Sequence, residues 1–292
     1  MNLICLQLDI TWHDKSANHD RVRALLDRTD VPAGSLIVLP EMFATGFSMD
    51  VAAIADEVTH ETEGFLHAVA AERNVAVLGG LVTRGPDGKG RNEAVVVFPD
   101  GRETVRYQKI HPFTLGGESE HYRPGHDIIL FEWQGFQIAP FVCYDLRFPE
   151  IFRIAAMRGA HVMAVIANWP AAREEHWNTL LKARAIENQC YIAGVNRCGK
   201  DPALAYPGRT QILGPRGGEI VAVDTKEGAI AAPLHLPALL DYRTQFPFLQ
   251  DARPQFLPGQ LDDPQGGIAA KTRRGEGRRE EEKKNIATDA DG

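Results

Sequence analysis

The sequence predicts a layered α/β fold of one domain, in which helices cover buried sheets. Three observations carry this expectation. Short apolar runs of strand length recur along the chain, segments of helical period lie between several of them, and two turn signals join neighbouring runs as hairpins. In chain order, residues 1–9 read as a buried first strand rather than a secretory leader, because a basic stretch and a long apolar core are both missing. Residues 20–26 have the period of an amphipathic helix, residues 36–39 are a strand, and residues 61–72 and 75–82 repeat the helix–strand order. The turn Pro99-Asp100-Gly101-Arg102 joins residues 94–98 to 104–107, and Gln134-Gly135 joins 128–133 to 136–142. Pro149 opens a helix, residues 162–167 form a strand, and residues 174–187 form a helix that places Trp177, Leu180, Leu181, Arg184 and Ala185 on one face. No repeat is evident.

Composition narrows the function. The 292 residues are 44% hydrophobic, enough for a sizeable core, and the net charge of -7 argues against a general nucleic-acid binder, which needs a basic surface. No apolar run approaches the ~20 residues that span a bilayer. Cys5, Cys143, Cys190 and Cys198 form neither a disulfide framework nor a C-x-x-C pair, so a reducing cytoplasm is expected. Residues 1–257 make up the predicted domain. Residues 258–292 lack aromatic side chains and carry the block Arg278-Arg279-Glu280-Glu281-Glu282-Lys283-Lys284, which predicts a disordered charged tail.

The familiar motifs are absent. There is no phosphate-binding G-x-x-x-x-G-K-[ST], no G-x-G-x-x-G after the first strand, no H-E-x-x-H and no helical histidine pair. Three other places share a pattern, an apolar strand that delivers a reactive residue just past its carboxyl end. These residues are Glu41, Lys109 and Cys143. Together they form a working set: a thiol nucleophile, a carboxylate to take its proton, and an ammonium to stabilise thiolate and oxyanion. The expected oxyanion donors are the Lys109 side chain and the Tyr144 N–H. A free cysteine of pKa about 8.5 is only a few per cent thiolate at neutral pH. A nearby lysine and a helix N-terminus are expected to lower the Cys143 pKa by about 2 units, roughly 2.7 kcal/mol. Each residue also fits a plainer role: Glu41 a cap after Pro40, Lys109 an exposed hairpin residue, and the remaining cysteines small buried hydrophobes. A cysteine–histidine arrangement using His111, His161 or His176 is the alternative chemistry, and a non-catalytic binding protein the alternative class.

At these residues the chain resembles the nitrilase superfamily of carbon–nitrogen hydrolases. The matching segments are Leu39-Pro40-Glu41-Met42-Phe43, Tyr107-Gln108-Lys109-Ile110-His111-Pro112-Phe113 and Val142-Cys143-Tyr144-Asp145-Leu146-Arg147-Phe148-Pro149-Glu150. The resemblance covers about residues 1–252. It implies a four-layer α-β-β-α sandwich of two mixed sheets, a homodimer that stacks through helices, and no metal or organic cofactor. It assigns Glu41 as general base, Lys109 as transition-state stabiliser and Cys143 as nucleophile. Glu118, with Glu120 as rival, would be a second glutamate that positions Lys109 and the incoming amide. Within the superfamily the chain is most similar to omega-amidases, which hydrolyse 2-oxoglutaramate to 2-oxoglutarate and ammonia. The supporting stretches include residues 41–49, Asn168-Trp169-Pro170, 173–176, 183–188 and 245–252. Such a substrate needs a cation for its distal carboxylate, for which Arg147 and Arg173 are the candidates, with Phe47, Tyr122 and Trp169 as walls. Tyr206-Pro207-Gly208-Arg209-Thr210 and Lys200-Asp201-Pro202-Ala203 depart from related amidases, and both are expected to shape the mouth of the pocket. Other amides therefore stay open: deaminated glutathione, aliphatic amides and N-carbamoyl amines.

Overall fold

A strand covered on both faces must be apolar throughout, and the first strand, β1 (Asn2–Gln7), is buried at every position after Asn2. In this computed structural model, which describes residues 1–56 and 60–256, β1 is followed by α1 (Lys15–Asp27), β2 (Leu36–Val38), α2 (Val51–Ile54) and α3 (Glu61–Arg73). Next come β3 (Ala76–Arg84), β4 (Gly90–Val97), β5 (Val105–Gln108) and the single turn α4 (Glu118–His121). The second half runs β6 (Phe131–Trp133), β7 (Phe136–Val142), α5 (Pro149–Met157), β8 (Val162–Ala167), α6 (Glu174–Asn188) and β9 (Tyr191–Asn196). The short strands β10 (Cys198–Lys200), β11 (Ala205–Pro207), β12 (Gln211–Leu213), β13 (Glu219–Ala222) and β14 (Gly228–Pro233) precede α7 (Leu236–Gln245). Residues Met1–Phe246 form one compact unit; a second begins at Pro247, and its described part holds 3-10 turns at Phe248–Asp251 and Pro254–Phe256. The predicted tail, 258–292, lies outside the described residues.

Two six-stranded sheets dominate. The first has the order β14-β1-β2-β3-β4-β5 and the second β13-β12-β9-β8-β7-β6. Each has three parallel strands at its centre, β1-β2-β3 and β7-β8-β9, flanked by antiparallel neighbours. Both predicted hairpins are present, β4–β5 and β6–β7. Strand alternation then decides which side chains meet. Leu3, Cys5, Leu36, Val38, Leu78 and Val96 join Ile138, Val162, Ile166 and Ile212 in the core that contains both sheets. The alternate residues Ile4, Leu6, Ile37, Val77 and Val95 face outward onto Val22, Leu25 and Leu26 of α1 and Phe65, Leu66 and Val69 of α3. Helices α5 and α6 cover the second sheet through Phe152, Ala155, Trp177 and Leu181. The result is the expected four-layer α-β-β-α sandwich.

The predicted strand at 128–133 is shorter than expected, only Phe131–Trp133. The Ile128 carbonyl accepts a bond from the Arg158 guanidinium at 2.9 Å, so a side chain serves it instead of a neighbouring strand.

Candidate active site

Three strand ends converge at one place. Beyond β2, Leu39 and Pro40 carry the chain to Glu41, and β3 backs this loop closely: Gly80 N–H donates to Pro40 O at 3.2 Å and Phe43 N–H to Gly80 O at 3.3 Å. A side chain at Gly80 would put its Cβ 2.5 Å from Glu41 Cα and 2.6 Å from Met42 N, so only glycine permits the approach. Past β5, the Lys109 backbone is fixed by its N–H to Asn92 O at 2.9 Å and by Gly125 N–H to its carbonyl at 2.7 Å. Past β7, Cys143 opens a 3-10 turn, Cys143–Arg147, with φ +48°, a left-handed conformation that is strained for a side-chain-bearing residue. This turn separates Cys143 from the start of α5 at Pro149, so the sulfur does not lie at an α-helix N-terminus.

Side chains from two of the strand ends, Glu41 and Lys109, form one buried charge network with Glu118 of α4. Lys109 Nζ lies 3.2 Å from Glu41 Oε1 and 3.0 and 2.8 Å from the two Glu118 oxygens. Glu41 and Glu118 are fully buried and Lys109 is 2% exposed. Asn92 Nδ2 bridges the carboxylates, donating to Glu41 Oε1 at 2.7 Å and Glu118 Oε1 at 2.9 Å. Asn168 holds the other Glu41 oxygen with its backbone N–H at 2.8 Å, and its side-chain amide donates to Glu41 O at 2.7 Å. Phe113 N–H donates to Glu118 Oε2 at 2.5 Å. Such bonding is required, since a buried ion short of partners costs several kcal/mol. Of the two candidate second glutamates, Glu118 is in the network and Glu120 is exposed.

Two carboxylates share one ammonium. Burial alone would lower the Lys109 pKa, but Glu118, Glu41 and Cys143 together outweigh it and push it up. At Cys143, desolvation and then Glu41 push the thiol well above its ordinary value; Lys109 and the Asn168 N–H oppose this and Glu118 adds to it. The expected lowering of the Cys143 pKa is therefore corrected. The physical reason is that the lysine charge is already claimed by two carboxylates and that the turn Cys143–Arg147 stands between Cys143 and the start of α5.

Cys143, Lys109 and Asn168 line a hollow of about 440 Å³ that opens to solvent. Tyr144 and the expected Phe47 and Trp169 form walls, joined by Phe113, Leu204 and Tyr206. Arg147 and Arg173 line it too. The Arg147 guanidinium lies 4.8 Å from the Trp169 ring centroid and 3.3 Å from His176 Nδ1, and that of Arg173 lies 5.5 Å from the Phe113 ring. Among the described residues, neither arginine is paired with a carboxylate. Tyr122 is placed differently from the expectation. It packs with Met42, Val51, Ile54 and Val82, its hydroxyl donates to Ser48 O at 2.5 Å, and it is not a wall of the hollow. The histidine alternative finds no geometry. His111 engages Asp145, His161 Nδ1 accepts the Gln137 N–H, His176 sits at Arg147, and none of them lines the hollow. Among the described residues, no cluster of three or more histidine, cysteine or acidic side chains is arranged to hold a metal ion.

Sequence reasoning missed Asn92 and the walls Phe113 and Leu204, whereas Tyr206 opens a stretch expected to shape the mouth of the pocket and does line the hollow. A signal for Asn92 existed, because the alternation of Ala94 and Val96 continued back two residues puts an amide on the inter-sheet face.

The sequence pattern of the carbon–nitrogen hydrolase family matches residues 4–243. An omega-amidase of Yersinia enterocolitica is 40% identical over 254 residues, covering 86% of this chain and 96% of that protein. A 2-oxoglutaramate amidase of Bacillus subtilis is 31% identical over 250 residues, with 85% and 96% covered. Among solved structures, a carbon–nitrogen hydrolase superfamily protein of Xanthomonas campestris, with an arsenic adduct in its active site, superimposes with a TM-score of 0.81. The two share 33% identity over 87% of this chain and 97% of that one.

Proposed function

Because the chain belongs to the carbon–nitrogen hydrolase family, we propose that it is a cysteine-dependent amidase acting on the terminal amide of a small dicarboxylic acid monoamide, with 2-oxoglutaramate as the first candidate. The observation that carries this reading is the hollow itself. Its floor holds Cys143 beside a Lys109 ammonium clamped by Glu41 and Glu118, and its walls carry two guanidiniums that have no acidic partner among the described residues. A neutral amide suits the floor, and a carboxylate suits Arg147 or Arg173.

In this scheme the amide carbonyl carbon meets Cys143, and its oxygen lies between Lys109 Nζ and the Tyr144 N–H. Glu41 takes the thiol proton as sulfur attacks, a transfer that leaves the total charge of the buried group unchanged. The tetrahedral oxyanion is held by the two donors, of which one is typically worth ~3–4 kcal/mol. The C–N bond breaks as Glu41 passes its proton to the departing nitrogen, so ammonia leaves and a thioester remains. Water then attacks the thioester while Glu41 takes a proton from it. Collapse releases the carboxylic acid and returns a proton to sulfur. The sum is amide plus water to acid plus ammonia, using protein groups and water alone. The homodimer implied by the resemblance belongs to the same proposal.

An ammonia-release panel tests the reading, comparing 2-oxoglutaramate, glutamine, deaminated glutathione, an aliphatic amide and N-carbamoyl amino acids. The highest kcat/KM is expected for 2-oxoglutaramate, and glutamine is expected to be poor because its ammonium would sit beside two guanidiniums. Turnover confined to amides that carry no carboxylate would overturn the substrate class. Cys143→Ala is expected to abolish ammonia release from every member.

A further inference from the structure

Asp145 lies two residues beyond Cys143 and takes no part in the scheme above, yet it is fully buried. A carboxylate so placed needs several donors, because burying a charge without them is strongly unfavourable. Four reach it. Tyr107 Oη donates to Oδ2 at 2.8 Å and the Val142 N–H to the same oxygen at 3.1 Å. Oδ1 accepts the His111 backbone N–H at 2.9 Å and faces His111 Nδ1, also at 2.9 Å. The donors come from distant parts of the chain. Tyr107 belongs to β5 of the first sheet, two residues before Lys109, and His111 stands two residues after it. Val142 ends β7 of the second sheet, directly before Cys143. The His111 ring is also fixed by stacking on Phe148, with centroids 3.7 Å apart.

From these contacts we infer that Asp145 is a positioning residue, whose carboxylate clasps the Cys143 turn to both flanks of Lys109 and so sets the reach between sulfur and ammonium. The inference rests on the reading of Cys143 as nucleophile. The positive φ of Cys143 is a conformation that persists only where neighbours hold it, and the Val142 N–H bond to Asp145 is such a hold. Asparagine has nearly the same shape but cannot take over. One of its terminal atoms is an N–H donor, which would face either the Val142 N–H or the His111 N–H.

The test uses the full chain with 2-oxoglutaramate as substrate and iodoacetamide as the probe of Cys143. For Asp145→Asn, kcat is expected to fall about 100-fold with KM within about threefold of the parent, and alkylation of Cys143 in the folded protein is expected to slow. Tyr107→Phe keeps the ring and removes one donor, and is expected to show the same split with a loss of about tenfold in kcat. Parental kcat and alkylation rates in both folded variants, with only a lower Tm, overturn the positioning role. If Asp145→Asn does not fold, Tyr107→Phe decides by the same readouts. Cys143→Ala separates this role from the reading beneath it. Parental turnover in that variant removes the nucleophile assignment, whereas its loss together with parental rates in Tyr107→Phe removes the clasp alone.

Discussion

Lys109 is shared between two acidic side chains, and this governs the residues around it. Glu118 contributes to the raised pKa of Cys143 and also competes for the lysine that opposes it. Glu118→Gln should therefore move the pH profile of Cys143 alkylation to lower pH, by about one pH unit, since removing a like charge favours the thiolate. An unchanged or upward-shifted profile in iodoacetamide kinetics would contradict the charge balance. Of the residues in this network, Glu41, Lys109 and Cys143 were legible because each follows an apolar strand. Glu118 was reached only through the family resemblance, as its own sequence offers two equivalent acids. The Cys143 pKa direction was illegible, because it depends on how many carboxylates share the lysine, a matter of three-dimensional assembly.

Among the elements, α3 shows how a helix end can depend on a distant acceptor. Asp56 Oδ1 and Oδ2 accept the N–H groups of Thr62 and Glu63 at 3.0 Å each, and Lys15 Nζ lies 3.0 Å from Oδ1. Burial would raise the Asp56 pKa, but these two N–H groups and Lys15 outweigh it and the pKa is lowered. Asp56→Ala should lower stability by about 1–2 kcal/mol, read from urea unfolding, because two first-turn donors and a lysine lose their acceptor. A shift in midpoint too small to resolve would show that water replaces the carboxylate. With a folded pKa below the unfolded value of about 3.9, the Asp56 contribution is fully present above that pH and is lost as pH falls through the folded value. The long apolar strands and both hairpins were readable from runs and turn residues. Beyond β8 the strands were not read: in β9 and β14 glycine and alanine interrupt the apolar run, and β10 to β13, of three or four residues, are too short to show alternation. The shortened β6 depended on an arginine thirty residues away.

For the whole molecule, the four layers bury groups that titrate near neutrality. His19 in α1 is 8% exposed and stacks on Phe65 with centroids 4.1 Å apart; burial lowers its pKa. Burial and then Arg243 lower that of His161. Below about pH 6.5 the unfolded chain takes up protons that the folded chain resists, so stability is full above that pH and declines as pH falls toward the folded values. Calorimetry should find a lower Tm at pH 5.5 than at pH 7.5, and His19→Gln should flatten the difference; equal slopes in the two proteins would assign it elsewhere. No helix among the described residues is long and apolar enough to cross a membrane. That helices cover the sheets was legible because the strands are apolar on both faces, whereas the four-layer order came only through the family resemblance; in the structure alternate residues of one strand choose opposite partners, as Leu3 and Ile4 do.

The two acids that clasp Lys109 also bear on what happens after the bond is cut. For a substrate seated as proposed, hydrolysis turns an uncharged end group into one that can ionise, facing an ammonium already engaged from behind. The grip on the freed acid is thus expected to be weaker than an unengaged lysine would give, which favours its departure.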